Sequence, residues 1–111
     1  MVKQTIIKKG KKGMANIKFQ NGDIRENGIL IGKLRNNEIR NNMGTLIGKT
    51  RNDDEIRNSM GTLIGKVKDG IVRSSIGTRI GNVKDYMIDG MQREKDVNMV
   101  AAYHFLVKKI F

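Results

Sequence analysis

The chain has no cysteine, no proline and no tryptophan, and its single histidine is His104. Without cysteine, neither disulfide staples nor a thiolate metal cluster is available. With one histidine, a His-rich metal site and a Ser-His-Asp triad with a spare proton shuttle are both poor readings. No run approaches the ~18–20 apolar residues that a membrane-spanning helix needs. The basic start, MVKQTIIKKGKKG, lacks the roughly 7–15-residue apolar stretch of a signal peptide. As it stands the chain reads as cytoplasmic, with no transmembrane segment; a form trimmed from an exported precursor would change the first reading. No cofactor is implied.

What is present is glycine, small aliphatic residues and positive charge. The 111 residues carry a net charge of +11, and 38% are apolar before the 13 glycines are counted. That is enough apolar content for one core of modest size, so the charge does not come with the apolar poverty of disordered chains.

The dominant feature is a repeat. GILIGKLRNNEIRNNM begins at Gly28, GTLIGKTRNDDEIRNSM at Gly44, GTLIGKVKDGIVRSSI at Gly61 and GTRIGNVKDYMIDGM at Gly77. A degenerate first copy, GMANIKFQNGDIREN, begins at Gly13. A second glycine follows four residues after each of the four later starts (Gly32, Gly48, Gly65 and Gly81), and Ile17 stands there in the first copy. A period near 16 is too short for paired-helix repeats of ~33–47 residues. It fits two short strands and two turns.

Each unit reads as a hairpin. Asn21-Gly22, Asn36-Asn37, Asp69-Gly70 and Asp85-Tyr86 supply tight turns, and Asn, Asp and Gly tolerate the positive φ that such turns require. Asn52-Asp53-Asp54 adds one residue, which accounts for one period of 17. The turns fix the pairing: Phe19 with Ile24, Leu34 with Ile39, Thr50 with Ile56, Val67 with Val72 and Val83 with Ile88. By period-two alternation these pairs share a face with the second glycines and with Leu30, Leu46 and Leu63. That face is apolar with a glycine-made hollow.

The expected filler is the C-terminus. DVNMVAAYHFLVKKIF, from Asp96 to Phe111, has no breaker and holds Tyr103, Phe105 and Phe111. As a helix it is apolar almost all round, the mark of a buried element. From Val97 to Val107 it spans only about 17 Å. A core helix packed on the hairpins is the reading; a membrane-surface anchor and a partner-binding helix are the alternatives.

Repeated hairpins with a G-x-x-I-G-x-V signature and a following I-R or I-D, ended by the helix NMVAAYHFL, resemble the β-flower proteins. The resemblance spans roughly residues 13 to 111. It implies a fold, four or five hairpins arranged radially in a small bacterial protein, and implies no catalytic residues. Ile17 in place of a glycine departs from the pattern, and the first eleven residues match nothing in it.

On the opposite face, Lys18 stands across from Arg25, Lys33 from Arg40, Lys49 from Arg57 and Lys66 from Arg73. Like charges directly opposite on a sheet cost up to ~1 kcal/mol. The fifth unit has Asn82 with Asp89. Lys8, Lys9, Lys11 and Lys12 add to the charge. These eight paired residues are the candidate polyanion-binding set, for nucleic acid or an anionic surface, since Lys and Arg neutralise phosphates and release counterions. Tyr86 is the one aromatic in a turn that could stack on a base. The plainer reading is a solvated strand face whose charge discourages edge-to-edge pairing.

Enzyme readings fare worse. The G-x-x-x-G spacings lack a following GK[ST] and recur with the repeat, so they are structural. Asp53, Asp54 and Glu55 lack calcium-loop spacing and read as a solvated turn. His104 has no sequence partner to make it a base, and Ser59, Ser74 and Ser75 lie in junctions with no activating group.

The expectation is an all-β domain in three parts: a basic arm or partial strand over 1–12, five radial hairpin repeats over 13–92 and a hydrophobic helix over 93–111. Its expected role is a non-enzymatic structural or interaction module, with polyanion binding as the alternative. Open hairpin edges could also pair with a second copy, which leaves a homo-oligomer open.

Overall fold

A computed structural model describes residues 16–111; the arm over 1–12 and the start of the first unit lie outside the described residues. Nine antiparallel strands form one sheet in sequence order. They are β1 (Ile17–Gln20), β2 (Asp23–Glu26), β3 (Ile29–Arg35), β4 (Glu38–Asn41), β5 (Leu46–Arg51), β6 (Glu55–Asn58), β7 (Leu63–Lys68), β8 (Ile71–Ser74) and β9 (Arg79–Asn82). Helix α1 (Asp96–Ala102) follows and runs into a π-helical turn, Tyr103–Val107. The chain is thus mostly β with one C-terminal helix.

Four hairpins form with the register the turns dictate, including Phe19 with Ile24, Leu34 with Ile39, Thr50 with Ile56 and Val67 with Val72. The paired positive φ values at Asn21-Gly22, Asn36-Asn37 and Asp69-Gly70 are those of tight hairpin turns. Successive hairpins are also hydrogen-bonded to one another across the junctions, which makes the sheet continuous.

The fifth unit departs from the expected pattern. Val83–Tyr86 is a 3-10 turn in place of a hairpin, so Val83 does not pair with Ile88. The chain instead returns to the far edge: Asp89 bridges Lys18 in parallel, and the Phe19 N–H donates to the Asp89 carbonyl at 2.8 Å. Gly90 permits this approach, because a Cβ there would strike the Phe19 carbonyl. The helix is also shorter than expected. It starts at Asp96, and the chain leaves the helical turn at Lys108, which is extended.

Each junction carries a β-bulge, where the register shifts between Ile24 and Arg25, Ile39 and Arg40, Ile56 and Arg57, and Val72 and Arg73. A bulge puts two residues against one and re-aims the strand. Leu30, Leu46 and Leu63 therefore stand opposite Arg25, Arg40 and Arg57, away from the core face expected for them. Ile31, Ile47, Ile64 and Ile80 pack on the core in their place.

The glycine hollows are filled as required. A Cβ at Gly32 would overlap Leu106, one at Gly48 would overlap Phe105 and one at Gly65 would overlap Phe111. Gly81 faces the Tyr86 hydroxyl from its own unit. The other end of the helix is tied to the tight turns. Buried Asn98 accepts from the Thr50 hydroxyl at 2.5 Å and donates to the Asn37 side chain at 3.2 Å. Lys95 pairs with Asp53.

Candidate polyanion-binding face

The eight candidate residues come together on the outer face, paired as expected: Lys18 with Arg25, Lys33 with Arg40, Lys49 with Arg57 and Lys66 with Arg73. Successive lysines lie two strands apart and two residues out of step, roughly 10–12 Å at sheet spacing. The same alternation adds Arg35, Arg51 and Lys68, each two residues beyond a lysine on its strand. The K-x-R and K-x-K spacing carried that signal. Arg79 joins them opposite Arg73.

Cross-strand repulsion is offset by carboxylates that the pairing of single hairpins does not reveal. Asp23, Glu38 and Glu55 lie two residues before Arg25, Arg40 and Arg57, and across the next strand boundary from Lys33, Lys49 and Lys66. The ion pairs measure 3.6 Å for Arg25–Asp23, 2.9 Å for Arg40–Glu38 and 2.8 Å for Arg57–Glu55. The hydrogen bond from Arg57 holds the Glu55 carboxyl below its ordinary range, with help from the charges of Arg57, Lys66 and Arg51. Ile71 replaces the acid beside Arg73, so the fourth pair is the most positive.

Each arginine also closes a junction. Arg25, Arg40, Arg57 and Arg73 donate to the carbonyls of Gly28, Gly44, Gly61 and Gly77 at 3.3, 3.0, 2.7 and 3.0 Å. The repeat glycines and arginines are therefore two halves of one brace. Among the described residues, Lys18, Lys33, Lys49 and Lys66 have no hydrogen bond and no ion pair within 4.0 Å.

The remaining candidates are spent on structure. His104 is buried, and its Nδ1 accepts from the Ile110 and Phe111 N–H groups at 2.9 and 3.3 Å. Burial, then the charge of Lys109, pushes its proton affinity below the usual histidine value. Tyr86 does not offer a free ring to a base; it packs edge-on against Tyr103 at 5.2 Å. Asp53, Asp54 and Glu55 diverge, Asp53 toward Lys95 and Glu55 toward Arg57. An open concavity of about 630 Å³ lies beside β9, lined by Met87, Met91, Met99, Arg79 and Asp69 among others. Among the described residues, no Ser, Thr, Tyr or His lines it.

No helix among the described residues is long and apolar enough to cross a membrane. No family model, curated protein or solved structure matches the chain.

Proposed function

We propose that the protein is a non-enzymatic structural and interaction module whose outer face binds polyanions through Lys18, Lys33, Lys49 and Lys66. The observation that carries this reading is the division of labour among its cations. Among the described residues, the arginines are engaged by carboxylates and glycine carbonyls, while the lysines between them make no hydrogen bond and no ion pair within 4.0 Å. An unpaired ammonium can give up counterions to a phosphate without breaking a contact of the fold.

The likeness to β-flower proteins, with hairpins set radially about the C-terminal segment, belongs to the same proposal. Its support is the convergence of Gly32, Gly48 and Gly65 on Leu106, Phe105 and Phe111.

The test is a variant carrying Lys18→Gln, Lys33→Gln, Lys49→Gln and Lys66→Gln. It should keep the wild-type melting temperature and lose at least ~10-fold in heparin affinity at low salt. Unchanged affinity would leave the lysines as a solvated surface.

A further inference from the structure

The end of the sheet opposite the tight turns carries a feature the fold does not need. Met43, Met60 and Ile76 stand at equivalent positions in three successive junctions, with 86%, 87% and 87% of their surface exposed. The backbone of each junction is hydrogen-bonded to a side chain of the strand before it. The Asn41 side chain accepts from the Met43 and Thr45 N–H groups, and Asn58 does the same for Met60 and Thr62. Ser74 accepts from Thr78. Gly44, Gly61 and Gly77 follow at φ of +86°, +90° and +92°. A polar side chain would serve these loops equally well, because the three apolar ones are almost fully exposed among the described residues.

The tips do not form a protein-binding patch. They lie on alternate strand connections, about 10 Å apart at sheet spacing, separated by Asn, Ser and Gly. A folded partner offers a continuous apolar surface, and here there are isolated knobs. Each knob has cations beside it: Arg40, Arg57 and Arg73 bond the carbonyl of the glycine next to each tip, Arg40 and Arg57 being also paired with Glu38 and Glu55, and Lys33, Lys49 and Lys66 stand opposite them. Arg79 flanks Arg73. The exposed Lys108 and Lys109 belong to the segment that covers the glycines of this half of the sheet. Apolar knobs interleaved with fixed cations suit a surface that is anionic outside, apolar just beneath and fluid enough to close around each knob.

We infer that the junction end docks on anionic lipid bilayers, with Met43, Met60 and Ile76 entering the headgroup–acyl boundary and Lys33, Lys49 and Lys66, which stand opposite the three braced arginines, meeting lipid phosphates. This rests on the polyanion reading above and names the partner. Interfacial binding of this kind combines buried apolar area with attraction to anionic lipid.

The test is co-sedimentation with vesicles of phosphatidylcholine and phosphatidylserine at 3:1, beside heparin titration, for the wild type and for Met43→Ser/Met60→Ser/Ile76→Ser. The wild type should bind the vesicles and keep part of that binding at high salt. The triple variant should melt as the wild type does, bind heparin equally well and lose at least ~10-fold in vesicle partitioning. Equal vesicle binding by both proteins, or heparin binding by a wild type that ignores vesicles, overturns the bilayer inference and spares the polyanion reading. Failure of the wild type to bind either probe overturns both.

Discussion

Gly48 and the ring of Phe105 occupy complementary space: a Cβ on the strand would overlap the ring that closes over it. The same relationship joins Gly32 to Leu106 and Gly65 to Phe111, so the sheet and the C-terminal segment are keyed together at three successive hairpins. Gly48→Ala should cost ~1–3 kcal/mol by overpacking, read as a drop in the urea midpoint. Phe105→Ala should also destabilise. The double variant should be less destabilised than the two single losses combined, because the ring the methyl would strike is gone.

Thr50 stands where the other hairpins have Phe19, Leu34 and Val67, and its hydroxyl donates to buried Asn98. Thr50→Val should lose ~1–3 kcal/mol, since the amide oxygen is left without that donor. Adding Asn98→Leu should recover part of the loss by making both partners apolar. Equilibrium urea unfolding of the three variants checks the order.

Arg57 and Glu55 keep 21% and 17% of their side-chain surface exposed, against 43% for both Arg40 and Glu38. Arg57→Gln should therefore lower the melting temperature more than Arg40→Gln. Arg73→Gln, which removes a glycine brace but no ion pair, should have the smallest effect. Because Glu55 titrates lower in the folded chain than when unfolded, its contribution is complete above the ordinary carboxylate range near pH 4.5. It is lost as pH falls through the folded value. The Arg57→Gln penalty should shrink accordingly in acid.

His104 titrates below its usual value of 6.5 in the folded chain. As pH falls below 6.5 the unfolded chain takes up a proton that the folded chain refuses, so stability must fall. The loss is complete once pH passes the folded value. Urea midpoints at pH 7.5, 6.5 and 5.5 should decline for the wild type, and the decline should vanish in His104→Phe. A midpoint that holds or rises on acidification would contradict this role.

Much of the sheet was legible because turn chemistry fixes hairpin register: Asn36-Asn37 set Leu34 against Ile39 and Lys33 against Arg40 without further information. The bulges were not legible. They arise where one hairpin meets the next, and that long-range fit turned Leu30, Leu46 and Leu63 outward and brought Ile31, Ile47 and Ile64 in. The fifth unit misled because Asp85-Tyr86 resembles a turn, while Tyr86 is needed over Gly81. The cross-strand pairing of the eight candidate cations was legible from alternation. Their separation into braced arginines and open lysines was not, because it depends on Glu38 and Glu55 turning to Arg40 and Arg57 on their own strands and not to the lysines across the junction.

The most direct test of that separation is the salt dependence of binding to a labelled oligothymidine, measured for the wild type and the four-lysine variant. If the lysines contact phosphates, the log-log slope should be shallower in the variant by about 3, the value for four lost contacts to a single strand. Equal slopes, or wild-type binding no tighter than that of a small basic control protein, would contradict the account.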